Sequence, residues 1–258
     1  MKRTGLFASK SEQRNRVTFA QLVESMALLL LAAAVAFVTL SGQYTLLTTP
    51  RAFVYLLIAA VMLLILAVCA ACGWFALSAR DAWRMLVAIV VPALLIIIPL
   101  QTAPGLGLNG FDRYAGGRAI AIRRVAGALP GLRRDQRSIT VPNDDFGLWY
   151  DEIDHNISKY DGYTITLTGF VSRDPTLGAG QFRLSRQLMS CCILDMSPFG
   201  FVANYKNAKN LHDREWVRIR AVITRGSIGL SGYQHSGIVL QIVSLRAVAA
   251  PTGYFYRP

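Results

Sequence analysis

The sequence predicts a membrane α-helical N-terminal region of three spans, followed by a small, mostly-β, OB-like barrel with one helix. Three observations carry this. The chain is 53% hydrophobic over 258 residues, and the apolar excess lies before residue 100. The net charge of +12 is concentrated rather than spread. Beyond residue 138, short runs of alternating apolar and polar residues are separated by Gly/Pro turns.

Met1–Arg16 is basic, with Lys2, Arg3, Lys10, Arg14 and Arg16 against Glu12. The first span is read at 17–40, with Glu24 in its early turns. That carboxylate reads as an interfacial group, the alternative being an acid that works inside the membrane. The second span, 52–77, contains no charged residue and exceeds the roughly 20 residues needed to cross the hydrocarbon. Cys69 and Cys72 within it have CxxC spacing, but without polar flanking groups they read as small residues at a helix interface. The third span, 83–101, contains Pro92 and Pro99, which membrane helices tolerate with a kink. Basic residues crowd the N-terminus and the 78–84 loop, whereas Arg51 stands alone between spans one and two. The positive-inside rule then places the N-terminus in the cytoplasm and everything after the third span outside.

Residues 102–137 read as a Gly/Arg-rich linker. Arg113, Arg118, Arg123, Arg124, Arg133, Arg134 and Arg137 face only Asp135 within 113–137. These arginines are candidates for the anionic surface of membrane lipids, or alternatively for a solvated arm that docks on a protein. Residues 138–258 carry 12 Lys/Arg against 10 Asp/Glu. A module so nearly neutral, and placed outside, argues against a nucleic-acid partner.

The extracytoplasmic module is read at 138–258. Strands are expected at 138–141, 162–171, from 182 towards the cysteine pair, 199–205, 216–223 and 238–248. One helix is expected over 144–160, because Phe146, Trp149, Ile153 and Ile157 recur at helical spacing. His155 falls off that face. His235 sits in a Gly/Ser turn region at 227–237. Five or six short strands plus a helix fit a small closed barrel, with the OB-fold nearest.

Several stretches together resemble a known family. Gly169–Pro175 reads GFVSRDP, Gln181–Asp195 reads QFRLSRQLMSCCILD, Glu215–Ile223 reads EWVRIRAVI, and Tyr44–Arg51 reads YTLLTTPR. Taken in chain order, they resemble the YcgQ-like family of bacterial two-component permease subunits. The resemblance implies a multi-pass protein of the bacterial cell membrane. It further implies an auxiliary, noncatalytic subunit whose external domain docks on or gates a separate multi-spanning permease, or captures its substrate. It carries a CCxxD box onto Cys191, Cys192 and Asp195, and a preceding arginine onto Arg186.

Two thiolates and a carboxylate suit zinc or another thiophilic ion. Adjacent residues of a regular strand point to opposite faces, so both sulfurs reach one ion only where the strand breaks. Asp195 and Pro198 make a break there plausible. A redox-active vicinal pair and simple packing remain as alternatives, and Arg186 is read as a supporting charge for Asp195 or a thiolate. No base sits beside the cysteines in sequence, and neither a Ser/His/Asp pattern nor a phosphate loop is present, so no catalytic residue is assigned.

Overall fold

The computed structural model describes residues 19–74, 84, 86–91, 118–123, 127, 129–178, 180–229, 232 and 234–258. The chain divides into two compact units, one of 1–44 with 51–103, the other of 45–50 with 104–258.

The first unit contains α1, Phe19–Leu40, and α2, Phe53–Ala71. Both are long and apolar enough to cross a membrane, which is consistent with a membrane protein. Ala27, Leu28, Ala67 and Ala70 pack together with Ile89 of the helical stretch 86–91. Small side chains allow such close approach between helices. On α2, Val54, Ile58, Val61, Met62 and Ile65 are left exposed, a surface suited to lipid rather than water. The second span ends sooner than Leu77. Cys72 and Gly73 close the last turn onto Val68 and Ala70 carbonyls, and Gly73 takes φ +76°, which glycine adopts without strain. Cys72 is consequently exposed at a helix end rather than packed at an interface. Glu24 is only 3% exposed, covered by neighbouring residues of this unit. Most of the expected third span lies outside the described residues.

The second unit is a small β-barrel domain with added strands. Its strands are β1 (Ala119–Ala121), β2 (Leu132–Arg133), β3 (Ser138–Thr140), β4 (Thr164–Ser172), β5 (Gln181–Leu188), β6 (Ser197–Asn204), β7 (Trp216–Ile228), β8 (His235–Ala247) and β9 (Tyr254–Tyr256). The sheet order is β1-β9-β5-β6-β8-β7-β4-β3-β2, and β4 also pairs with β5. That second pairing closes β4, β5, β6, β8 and β7 into a ring. β6 and β8 run parallel through Val202↔Val239, while the other pairings of the ring are antiparallel. Alternation decides the inside: Val217, Ile219, Ala221 and Ile223 of β7 are fully buried, as are Ile165 and Leu167 of β4 and Phe182 and Leu184 of β5. Gly200 of β6 lies so close to β5 that a Cβ there would meet the Leu184 carbonyl oxygen at 2.0 Å. Only glycine fits this crossing.

The expected helix over 144–160 divides. α3 covers Phe146–His155, Asn156 leaves helical geometry, and a short turn follows at Ile157–Tyr160. α3 buries Phe146, Trp149 and Ile153 against the barrel, and Trp149 Nε1 donates to the Pro130 carbonyl at 2.9 Å.

Two expectations need correction. The stretch read as a linker up to residue 137 supplies β1 and β2, so the folded domain begins well before Ser138. β1 pairs in parallel with β9, a strand more than 130 residues downstream that the alternation pattern did not show. The turn region at 227–237 is also shorter than its glycines imply, because β7 and β8 pair through to Ile228↔His235.

Candidate functional site

β5 ends at Leu188, and the next seven residues turn across the end of the barrel. Met189 is buried and donates its amide to the Phe255 carbonyl at 2.9 Å, which anchors the entry. Cys192 is extended (φ −149°, ψ 174°) and caps a single 3-10 turn at Ile193–Asp195. The strand therefore breaks at the cysteines, the condition that lets both sulfurs face one point.

Asp195 organises this turn. Its carboxylate accepts amides from Ser190 at 2.9 Å, Cys191 at 2.5 Å and Cys192 at 3.2 Å. The Cys192 side chain in turn accepts the Asp195 amide, a reciprocal capping arrangement. Partial burial works to raise the Asp195 pKa. The Cys191 thiol and the amides of Cys191, Ser190 and Cys192 bond the ionised form and outweigh it, so the net direction is downward. The same contact acts oppositely on the sulfur. Hydrogen bonding to Asp195, then the neighbouring Cys192, pushes the Cys191 thiol up to about 11. Both cysteines are free, with Cys191 exposed and Cys192 half-buried. One ligand atom from each of Cys191, Cys192 and Asp195 lies within 4.8 Å of the others. The donor set and spacing fit a thiophilic ion, two thiolates and one carboxylate leaving room for a further ligand. Among the described residues this is the one such group, and no histidine belongs to it.

A second chain segment closes over the box. Thr45–Pro50, the stretch between α1 and α2, is part of this unit. Thr48 bridges Cys192 in antiparallel fashion. The Thr49 amide and Thr48 Oγ1 donate to the Cys191 carbonyl at 3.2 and 2.7 Å, and the Ile193 amide donates to the Leu47 carbonyl at 2.9 Å. Tyr254 Oη donates to the Thr45 carbonyl at 2.6 Å. Nothing in the YTLLTTPR segment itself signals where it docks, because the contacts run mainly through backbone groups.

Arg186 does not join the cysteines. It points into the barrel with Phe182 and Leu184, is wholly buried, and lies over the rings of Phe255, Trp216 and Phe146 at 5.1, 5.3 and 5.9 Å. Nη1 donates to the Asn143 carbonyl at 3.4 Å, while Nε and Nη2 have no hydrogen-bond partner among the described residues. Burial lowers its pKa to about 10 despite the nearby Asp144. It is a core cation held by aromatic faces, not a counter-charge for Asp195.

Of the seven linker arginines, Arg113 and Arg124 lie outside the described residues. Arg118 forms a two-pronged ion pair with Asp144 at 2.6 and 2.7 Å, and Arg137 donates to the Asp161 carbonyl and covers the Tyr163 ring. Arg133 bonds Gln136 at 3.4 Å; Arg123 and Arg134 are exposed. His155 bonds the Asp151 carbonyl within its own helix. His235 lines an open depression of about 750 Å³ across β5, β6 and the start of β8, with Tyr150, Leu177, Arg183 and Phe201.

The fold and the box define a class: a protein with apolar N-terminal helices and a β-barrel domain whose broken strand presents a vicinal cysteine pair. Residues 123–257, just over half of the chain, match the DUF1980 C-terminal domain, and the chain belongs to that family. This fits the resemblance to YcgQ-like proteins. No curated protein matches the chain. Solved structures with some likeness include the mitochondrial single-stranded DNA binding protein Rim1 of S. cerevisiae, at 10% identity and TM-score 0.22, covering 35% of this chain and 99% of that one. Another is a small single-stranded DNA-binding protein from Streptomyces coelicolor, at 14% identity and TM-score 0.22, covering 34% and 95%. Such low scores carry no conclusion about this chain.

Proposed function

We propose that this chain is an auxiliary, noncatalytic subunit of a bacterial membrane permease system. Its barrel domain stands on the extracytoplasmic side, where it docks on or gates a multi-spanning permease or captures its substrate. The observation that carries this reading is the docking of Thr45–Pro50 on the cysteine box. If α1 and α2 both cross the bilayer, the loop between them lies opposite the basic N-terminus. A domain that incorporates this loop lies on the same side. The chain must then cross once more between residues 72 and 118, which supports a third span and the multi-pass topology expected from charge.

Other features agree. The closed ring β4-β5-β6-β8-β7, with its parallel β6–β8 pair, supports the reading of the domain as an OB-like barrel. The depression beside Arg183 and His235 offers a surface for capture. Cys191 is held as a thiol, the opposite of an activated nucleophile.

The test is purification of the native complex from the source membrane. A multi-spanning protein should accompany the tagged chain in fixed ratio and be lost when Thr45–Pro50 is replaced by a Gly/Ser loop. Recovery of the chain alone under mild extraction would overturn the reading. A second reading, metal binding at the cysteine box, is favoured by the 4.8 Å clustering of its donors. Elemental analysis of the same preparation decides it: stoichiometric zinc in the wild type, absent from the Cys191→Ser/Cys192→Ser variant.

A further inference from the structure

The outer face of the sheet carries arginines that no carboxylate neutralises among the described residues. β4, β7 and β8 lie side by side, and residues paired across them share a face. Thr168, Arg218 and Arg246 form one row. Thr166, Arg220 and Ser244 form the next, which Thr140 of β3 extends. The intervening residues Val217 and Ile219 are fully buried, so the three arginines stand outward and are exposed. Arg218 Nε donates to Thr168 Oγ1 at 3.1 Å. No carboxylate pairs with Arg218, Arg220 or Arg246 among the described residues, and neither row contains Asp or Glu.

Arg218 and Arg246 are directly opposite each other across the β7–β8 pair. Like charges at that position repel and destabilise a sheet. The repulsion is relieved when an anion sits between them. Guanidinium forks match phosphate oxygens, and the hydroxyls of Thr166 and Ser244 that flank Arg220 add donors while keeping the face low.

We propose that this face binds the phosphate headgroups of anionic phospholipid. Connectivity selects lipid among anions. Thr45–Pro50 belongs to the barrel unit, α1 ends at Leu40, and the 3-10 turn at Pro50–Ala52 leads straight into α2 at Phe53. Two short links therefore hold the domain to helices apolar enough to cross a bilayer. Tethering raises the effective concentration of the headgroups above that of any free anion. Two of the linker arginines that sequence reading offered to lipid are already engaged, Arg118 by Asp144 and Arg137 by the Asp161 carbonyl. The sheet face supplies three that have no carboxylate partner among the described residues. The proposal requires membrane residence and is independent of any role in transport.

The full-length chain in neutral detergent would be titrated with phosphatidylglycerol and, separately, phosphatidylcholine, with bound lipid counted by native mass spectrometry. Each arginine near an anionic surface is worth about fivefold in affinity. The Arg218→Gln/Arg220→Gln/Arg246→Gln variant should therefore lose tenfold or more of its phosphatidylglycerol affinity, with phosphatidylcholine unchanged. The wild-type preference should shrink as salt rises. The matching Lys variant, which keeps charge, should retain most of the binding and shows that the strands still fold. Equal phosphatidylglycerol binding by wild type and the Gln variant overturns the proposal. So does tighter binding of polyglutamate or a single-stranded oligonucleotide at this face, which would assign it to a protein or a nucleic acid instead.

Discussion

At the scale of single residues, one contact sets the chemistry of the cysteine box. Asp195 holds three backbone amides and the Cys191 proton together. Its lowered pKa means that the ionised form stabilises the turn. That contribution is present above the unfolded carboxylate range and is lost as pH falls through the folded value. The Cys191 pKa of about 11 implies roughly 100-fold less thiolate at neutral pH than in an ordinary cysteine. Alkylation of Cys191 by iodoacetamide in chelator-treated protein should accordingly be slow at pH 7 and keep rising towards pH 11. In Asp195→Asn the profile should move back towards an ordinary thiol. Peptide mass spectrometry reads the rate, and a plateau near neutral pH in the wild type would refute a carboxylate-suppressed thiol. The residue types were visible in sequence, and so was the need for a broken strand. The assignment of Arg186 was not. Its neighbour in sequence is Ser185, but its neighbours in space are Phe146, Trp216 and Phe255, contributed by three other elements.

At the scale of elements, α3 closes one end of the barrel. Phe146, Trp149 and Ile153 were legible from their spacing because a short amphipathic helix must bury that face somewhere. Trp149 is fully buried, meets Tyr160 edge-on at 5.7 Å and bonds Pro130. Trp149→Ala should destabilise the domain by about 3–5 kcal/mol, since it removes a large apolar contact and leaves the half-buried Pro130 carbonyl without its donor. Urea unfolding followed by the remaining tryptophans measures this, and a loss under 1 kcal/mol would mean that the helix is not part of the cooperative core. β1 and β9 were not legible. Each is three residues long, β1 pairing with β9 and β9 also with β5, so neither carries a pattern long enough to read.

At the scale of the whole molecule, the proposed side of the membrane rests on the charge bias, and the incorporation of Thr45–Pro50 into the barrel unit ties the domain to the side of that loop. An epitope tag placed after Pro258 should be removed by protease added to intact spheroplasts, and a tag before Met1 only after lysis. Protection of the C-terminal tag until lysis would overturn both the topology and the parity argument built on the loop.

What the amino-acid sequence determined by itself is what local periodicity and composition can encode. It determined two apolar helices, a helix with one buried face, the central alternating strands, and a cysteine pair beside a carboxylate. These need no knowledge of distant partners, because burial period and turn chemistry are written in neighbouring residues. The tertiary structure alone decided the rest. Closure of β4 on β5, the parallel β1–β9 pair and the Arg218↔Arg246 rung depend on register between strands far apart in the chain. Likewise the seat of Thr48 on Cys192 joins residues more than 140 apart, through backbone hydrogen bonds that any side chain can make and that therefore leave no mark in sequence.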